Sequence, residues 1–270
     1  MKKIKFSKMV ATGNDFVIMD NRSSVLGSRL PVIAKKVCDR KLGIGADGFL
    51  LLEKSKRCDF KMRIFNPDGS EPKMCGNGSR CIALYAKLNK IAGSFMSIET
   101  KAGILKAKVK GNIVKINMTD AKGVKLGIGL KVNKKAYNLY HINTGVPHTV
   151  YFTDKIKATD LQALGSSVRY HRRFKPAGTN FNLVKTKGKK AISIRTYERG
   201  VEHETLACGT GAVAAAIITS IVRGHSSPVK VYAKGGKLNI YFKKKDKNKF
   251  TDIFLEGEAL EVFNGEFNIM

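Results

Sequence analysis

Two cysteines occupy the same short motif, Cys75-Gly-Asn-Gly and Cys208-Gly-Thr-Gly, and each motif runs into an apolar, helix-like stretch. A helix start leaves several backbone N–H groups without an intrahelical partner, and the aligned peptide dipoles favour negative charge there. A cysteine so placed is biased toward its thiolate. The same N–H groups can hold a carboxylate, and glycine lets backbone and ligand approach closely. One carboxylate held between two such starts would have a sulfur on each side of the adjacent carbon. Inversion at that carbon needs this arrangement: one thiolate takes the proton from one face and the opposite thiol returns a proton to the other. Charge developing on the carboxylate would meet donors already aimed at it. Cys38, Cys58 and Cys81 lack the motif and read as small buried hydrophobes.

The two motifs belong to a longer internal repeat. RIFNPDGSEPKMCGNGSRC and SIRTYERGVEHETLACGTGA share an order of parts: a β-like run ending in an aromatic (Phe65, Tyr197), a polar residue (Asn66, Glu198), a polar loop, then the cysteine. Cys75 lies 28 residues before Gly103, and Cys208 lies 28 before Gly236. Lys101 and Leu105 match Lys234 and Leu238 at an offset of 133, whereas Arg63 and Arg195 match at 132. The second loop is therefore one residue longer. Two domains of similar fold, related by duplication, follow from this register.

Periodicity supplies the elements that must carry the motifs. Strands are expected at 2–7, 15–20, 60–65, 95–109, 112–118, 137–143, 148–153, 180–185, 191–197, 229–234, 237–243 and 251–256. Helices are expected near 30–40, 76–91, 159–165 and 209–223, the long ones stopping at Gly93 and Gly224. The fold class is α+β, two similar α/β domains: residues 1–119, and residues 120–259. The Gly- and Lys-rich stretch 120–136 is the expected passage between them.

Composition bounds the partners. The 270 residues are 43% hydrophobic, with no apolar run of membrane-spanning length and no signal-peptide core, so a cytoplasmic protein is expected. Five cysteines, without a Cys-x-x-Cys pair or clustered His, favour reduced thiols over a metal site. The net charge of +29 would suit a nucleic-acid partner. However, Lys outnumbers Arg 38 to 12, and the lysines alternate with apolar residues along the whole chain, as on the wet faces of strands. Arg is the better reader of phosphate, and no nucleic-acid motif is present. The charge reads as a solvated surface. Gly43-Ile44-Gly45-Ala46-Asp47-Gly48 has neither a Gly-Lys-Ser/Thr nor a dinucleotide context.

The ordered set MVATGNDFVIMD, GIGADGFLLLE, RIFNPDGSEPKMCGNGSRC, NTGVPHTV, PAGTNFNLV and YERGVEHETLACGTGA resembles diaminopimelate epimerase over essentially the whole chain. The resemblance implies a cofactor-independent isomerase that converts LL-diaminopimelate to the meso form, for lysine and peptidoglycan precursor synthesis. It implies a site in the cleft between the domains, a homodimer, and a last strand (260–270) returning to the first domain. It makes Cys75 and Cys208 the acid/base pair. Gly76, Asn77, Gly209 and Thr210 become the helix-start donors for the reacting carboxylate. Asn14, Asn66, Asn180, Glu198 and Arg199 become holders of the distal amino-acid end, and His148 and Glu198 support catalysis. Val146 departs from an Asn that many members carry, and Gly48 from a Gln that some carry. The rival readings are a proline, hydroxyproline or histidine racemase of the same fold, and a basic nucleic-acid-binding protein built on it.

Overall fold

The computed structural model describes residues 2–27, 29–132, 135–246 and 248–269. They form two compact units, Met1–Ile116 with Gly257–Met270, and Asn117–Glu256. The borders expected at 119/120 and 259/260 thus lie at 116/117 and 256/257.

The first unit starts with an antiparallel pair, β1 (Lys2–Ala11) and β2 (Asn14–Asp20). Helix α1 (Leu30–Cys38) leads to β3 (Gly48–Glu53), parallel to β2, and then to antiparallel β4 (Phe60–Phe65). Helix α2 (Gly76–Leu88) crosses to β5 (Phe95–Thr100), parallel to β4, and antiparallel β6 (Gly103–Lys110) and β7 (Ile113–Asn117) follow.

The second unit repeats this plan. Antiparallel β8 (Lys122–Val132), β9 (Lys135–Asn143) and β10 (Pro147–Phe152) precede helix α3 (Leu161–Arg169) and β11 (Asn180–Lys187), parallel to β10. Antiparallel β12 (Ala191–Tyr197) and short β13 (Glu204–Thr205) lead to helix α4 (Gly209–Arg223). Strand β14 (Val229–Ala233) lies parallel to β12, with β15 (Gly236–Asp246) antiparallel to it and β16 (Lys249–Glu258) next in the chain. Strand β17 (Leu260–Ile269) belongs to the first unit, where it runs antiparallel to β1 from Lys2↔Ile269. The repeat holds residue by residue: Phe16↔Gly48 on β2 and β3 recurs as His148↔Asn180, and Leu50↔Ile64 as Asn182↔Thr196, all at the offset of 132.

Both long helices are buried along most of their length, α4 because its sequence is apolar nearly all round, α2 with Asn77, Ser79 and Arg80 buried among its apolar residues. In α4 every residue from Gly211 to Ser220 is buried, and in α2 every residue from Asn77 to Ala86 is. The first core gathers Val17, Met19, Phe49, Leu51 and Phe65 around α1, and the second gathers Leu161, Leu164, Val168, Phe181 and Leu183 around α3.

Four elements differ from expectation, each for a physical reason. The run 95–109 is two strands, because Thr100 Oγ1 accepts from the Ala102 N–H and turns the chain at Gly103, φ 119°. The stretch 120–136 is no linker. It contains β8, whose register shifts near Gly123 and Gly127 (φ 66° each) disguise it as loop. Strand β3 reads GFLLLE, without alternation, since all of it but Glu53 is buried. Helix α3 begins at Leu161, where Asp160 caps it by accepting from the Ala163 N–H.

One ion pair is duplicated along with the strands. Arg63 grips Glu71 through two bonds of 2.8 and 2.9 Å, and Arg195 grips Glu204 through two of 2.9 Å. Each clamp ties a strand to the loop that delivers the cysteine, and the one-residue difference in loop length is accommodated inside the second clamp. The Arg63 hydrogen bonds pull the Glu71 carboxyl down to about 2 against burial, with Lys101 assisting; Arg195 likewise lowers Glu204. The Glu71 anion therefore adds stability that is full above its ordinary value of 4.5 and lost as pH falls toward 2. Glu71→Gln should lower the urea midpoint at pH 7 and flatten its acid decline between those values. A variant with the wild-type pH curve would show that the clamp contributes nothing.

Candidate active site

Each cysteine is the N-cap of its helix. Cys75 has φ −138° and ψ 123°, Cys208 has φ −113° and ψ 114°, and each carbonyl accepts the first helical bond, from Ser79 N at 2.8 Å and from Ala212 N at 2.9 Å. The extended N-cap places each cysteine at the first turn of its helix, whose N–H groups lie outside the i→i−4 ladder. The N–H groups of Gly76 and Asn77, and of Gly209 and Thr210, belong to these first turns.

Around Cys75 the polar groups form a directed chain. Arg80, one turn into α2, donates to Asn77 Oδ1 at 2.9 Å and also bonds Thr12 Oγ1. Arginine can only donate, so the Asn77 amide must turn its Nδ2 toward Asn14 Oδ1, 3.3 Å away. Asn14 in turn donates to Asp47 at 2.7 Å and presents the same Oδ1 to Cys75 Sγ at 4.0 Å. Arg40 holds Asp47 and Asp15 in place, at 2.7 and 2.8 Å. Asn66 sits in the tight turn ahead of this loop, its amide donating to Ser70 Oγ at 2.9 Å.

The Cys208 half is built differently. Thr210 Oγ1 lies 3.4 Å from Cys208 Sγ and 2.9 Å from His148 Nε2. His148 is fully buried, and burial pushes its imidazole down to about 3, so it is neutral in the working range. Glu198 accepts from Thr205 Oγ1 at 2.9 Å; burial raises its carboxyl, with hydrogen bonds from Thr205 and Cys208 opposing. Asn180 uses its amide on the scaffold, donating to Pro147 O at 2.9 Å and accepting from Arg199 N at 2.8 Å. It thereby fixes the backbone of Arg199, whose guanidinium donates to Ala177 O at 2.9 Å. Of the other thiols, burial raises Cys81 strongly and Cys38 to about 12, which removes both as bases.

Sequence reasoning missed Arg80 and Asn182. Arg80 lies in an otherwise unremarkable helix turn, yet it is wholly buried, and Nε and Nη1 have no hydrogen-bond partner among the described residues. Its only signal is its place, five residues after Cys75, where the matching position of the second half is the apolar Val213.

The family model described as diaminopimelate epimerase matches residues 6–124 and 140–261. A diaminopimelate epimerase of Methanocella arvoryzae is 41% identical over an alignment of 283 positions, covering 100% of this chain and 98% of that protein. One from Aquifex aeolicus is 39% identical, covering 98% of each. The chain belongs to the diaminopimelate epimerase family. Among solved structures, a PhzF-family phenazine biosynthesis protein of Bacillus anthracis superposes with a TM-score of 0.78 at 19% identity, over 100% of both chains. A hydroxyproline epimerase of Agrobacterium vitis gives 0.72 at 14%, over 98% of this chain and 92% of that one. These two likenesses concern the fold. No helix among the described residues is long and apolar enough to cross a membrane.

Burial holds the Arg80 guanidinium down to about 10, with the Cys81 and Cys75 sulfurs acting in the opposite direction. A buried, half-satisfied cation costs folding energy, and an apolar residue of similar volume is often neutral or stabilising in its place. Arg80→Met should therefore keep or raise the urea midpoint, while alkylation of Cys75 by iodoacetamide at pH 7 slows. A variant that loses stability without slowing Cys75 would make Arg80 a purely structural residue.

Proposed function

We propose that the chain interconverts LL- and meso-2,6-diaminopimelate without a cofactor, Cys75 and Cys208 acting as the acid/base pair. One observation carries this: both cysteines are N-caps of equivalent helices in a duplicated fold, within a chain of this family. In the reaction one sulfur, as thiolate, removes the α-proton. The electron pair is spread onto the α-carboxylate, which the N–H groups of Gly76, Asn77, Gly209 and Thr210 receive. The other sulfur, as thiol, delivers a proton to the opposite face, and the pair emerges with its protonation exchanged.

The far end of the substrate is a second amino acid. Arg199 offers its carboxylate a charge-assisted partner, with Asn14, Asn66, Asn180 and Glu198 supplying polar contacts for the ammonium and carboxylate. The hydrogen bonds made by Asn180 assign it a further task, that of presenting Arg199. His148, being buried, supports Cys208 through Thr210. The reading includes cytoplasmic residence and a homodimer; Leu260, Val262 and Phe263, all exposed on β17, support an assembly that covers them.

Incubation with LL-diaminopimelate in deuterium oxide should give the meso isomer with deuterium at the inverted carbon. Cys75→Ala and Cys208→Ala should each lose about 10² to 10⁴ in turnover while Cys81→Ala stays active, since each face needs its own proton carrier. Near-native turnover in either variant would refute the pair.

Substrate choice has its own test. Arg199→Met should cost diaminopimelate about 2 to 5 kcal/mol in kcat/KM, and weak activity on an amino acid with one carboxylate should barely change. Equal losses on both substrates would move Arg199 from substrate to scaffold. A wild-type preference for the monocarboxylate would make the protein a racemase.

A further inference from the structure

The polar cluster behind Cys208 has no counterpart behind Cys75. His148, Asn182 and Thr196 are buried on neighbouring strands β10, β11 and β12. At the offset of 132, the first unit fills the same positions with Phe16, Leu50 and Ile64, also buried. The helix above packs closely in both, more tightly in the second. A Cβ on Gly78 would meet Leu50 at 3.2 Å and Ile64 at 3.5 Å, and one on Gly211 would meet Asn182 Oδ1 at 2.7 Å and His148 at 3.3 Å. The fold therefore accepts apolar side chains at these three places. Burying polar ones instead costs free energy unless every group is paired, and here the pairing carries direction.

Direction starts at a backbone carbonyl. Asn182 Nδ2 lies 3.0 Å from Thr149 O, which can only accept, so the amide nitrogen must face it. The same nitrogen lies 3.2 Å from His148 Nδ1, and Asn182 Oδ1 receives the Thr196 hydroxyl at 2.9 Å. His148 Nδ1 is thus an acceptor, and its proton is on Nε2. That N–H donates to Thr210 Oγ1 at 2.9 Å, which leaves the threonine proton to point at Cys208 Sγ, 3.4 Å away.

We infer that Asn182 is a positioning residue: it locks His148 in the Nε2–H tautomer, so that the Thr210 hydroxyl donates to Cys208 and favours its thiolate. This assignment rests on the proposed role of Cys208 as a proton carrier. Other titratable groups near the chain are Glu198 beside Cys208, with His203 next to Glu198, and His141 and Arg199 near His148. None of them donates to or accepts from His148 Nδ1, which Asn182 alone occupies among the described residues.

Asn182→Asp is the discriminating change, because a carboxylate can accept the Nδ1 proton and reverse the chain. Nitrogen-15 spectra of histidine-labelled full-length protein should show His148 as Nε2–H in the wild type and Nδ1–H in the variant. Alkylation of Cys208 by iodoacetamide at pH 7, followed by peptide mapping, should slow about 10-fold or more, the worth of a hydrogen bond to a charged group. Cys75 alkylation should not change. Thr210→Val should slow Cys208 in the same way, and Thr210→Ser should restore it. The triple change His148→Phe, Asn182→Leu, Thr196→Ile, copying the first unit, should fold and yet carry a slow Cys208. A wild-type Nδ1–H tautomer, or a Cys208 rate unmoved by Asn182→Asp and by Thr210→Val, would overturn the inference. Spectra and alkylation are read without substrate, so a failure to epimerise diaminopimelate would count against the proposed function and leave this result standing.

Discussion

A residue at a helix N-cap has to do two incompatible things, and the chemistry of this fold follows from how they are reconciled. Its carbonyl accepts the first bond of the helix while its own backbone stays extended. Cys75 and Cys208 both do this, with φ and ψ in the β region and the helical bond already made at 2.8 and 2.9 Å. Neither side chain caps its helix, as Ser, Asp or Asn would. Sulfur is a poor acceptor for the first-turn N–H groups, whereas a Ser, Asp or Asn cap would set an oxygen of the protein on them. Cysteine there gives up some helix stability, and the buried bodies of α2 and α4 hold the helices without a side-chain cap.

Placing those caps is the work of the strands and clamps. In each unit a strand ends just before the polar loop, and an Arg on that strand grips a Glu on the loop at two points. Such bidentate pairs fix orientation as well as distance. Because the pair is repeated while the loop length is not, the clamp explains how an extra residue is absorbed without moving the second cysteine off its helix start.

What could be read from the sequence follows from which features recur. The cysteine motifs, their spacing to Gly103 and Gly236, and the two long helices were legible because duplication shows them twice. Strand β8 was not: glycines at positive φ and shifting register erase the alternation that marks a strand. Strand β3 was not either, since an element buried on both faces alternates nothing. The buried polar residues were hardest. Asn182 in FNLVK looks like any polar position of an alternating strand, and Arg80 like any helix arginine. Only their partners in three dimensions separate them from solvated side chains. His148 and Asn180 stand out by resemblance, but the hydrogen bonds they make, to Thr210 and to the backbone N–H of Arg199, are encoded by no spacing.

Duplication also shows where the two halves have diverged. The scaffold keeps the strands, the clamps and the N-caps the same, and changes what lies behind each cap. Behind Cys75 stands a buried cation, Arg80, working through Asn77 and Asn14. Behind Cys208 stands an uncharged imidazole, held neutral by burial and oriented by Asn182, with a carboxyl group, Glu198, beside the sulfur. A buried charge acts at a distance with little regard to angle, whereas neutral dipoles act only through their orientation. The first half therefore needs only to bury Arg80 near its cap, while the second needs Asn182 to hold the imidazole and, through it, the Thr210 hydroxyl in one direction.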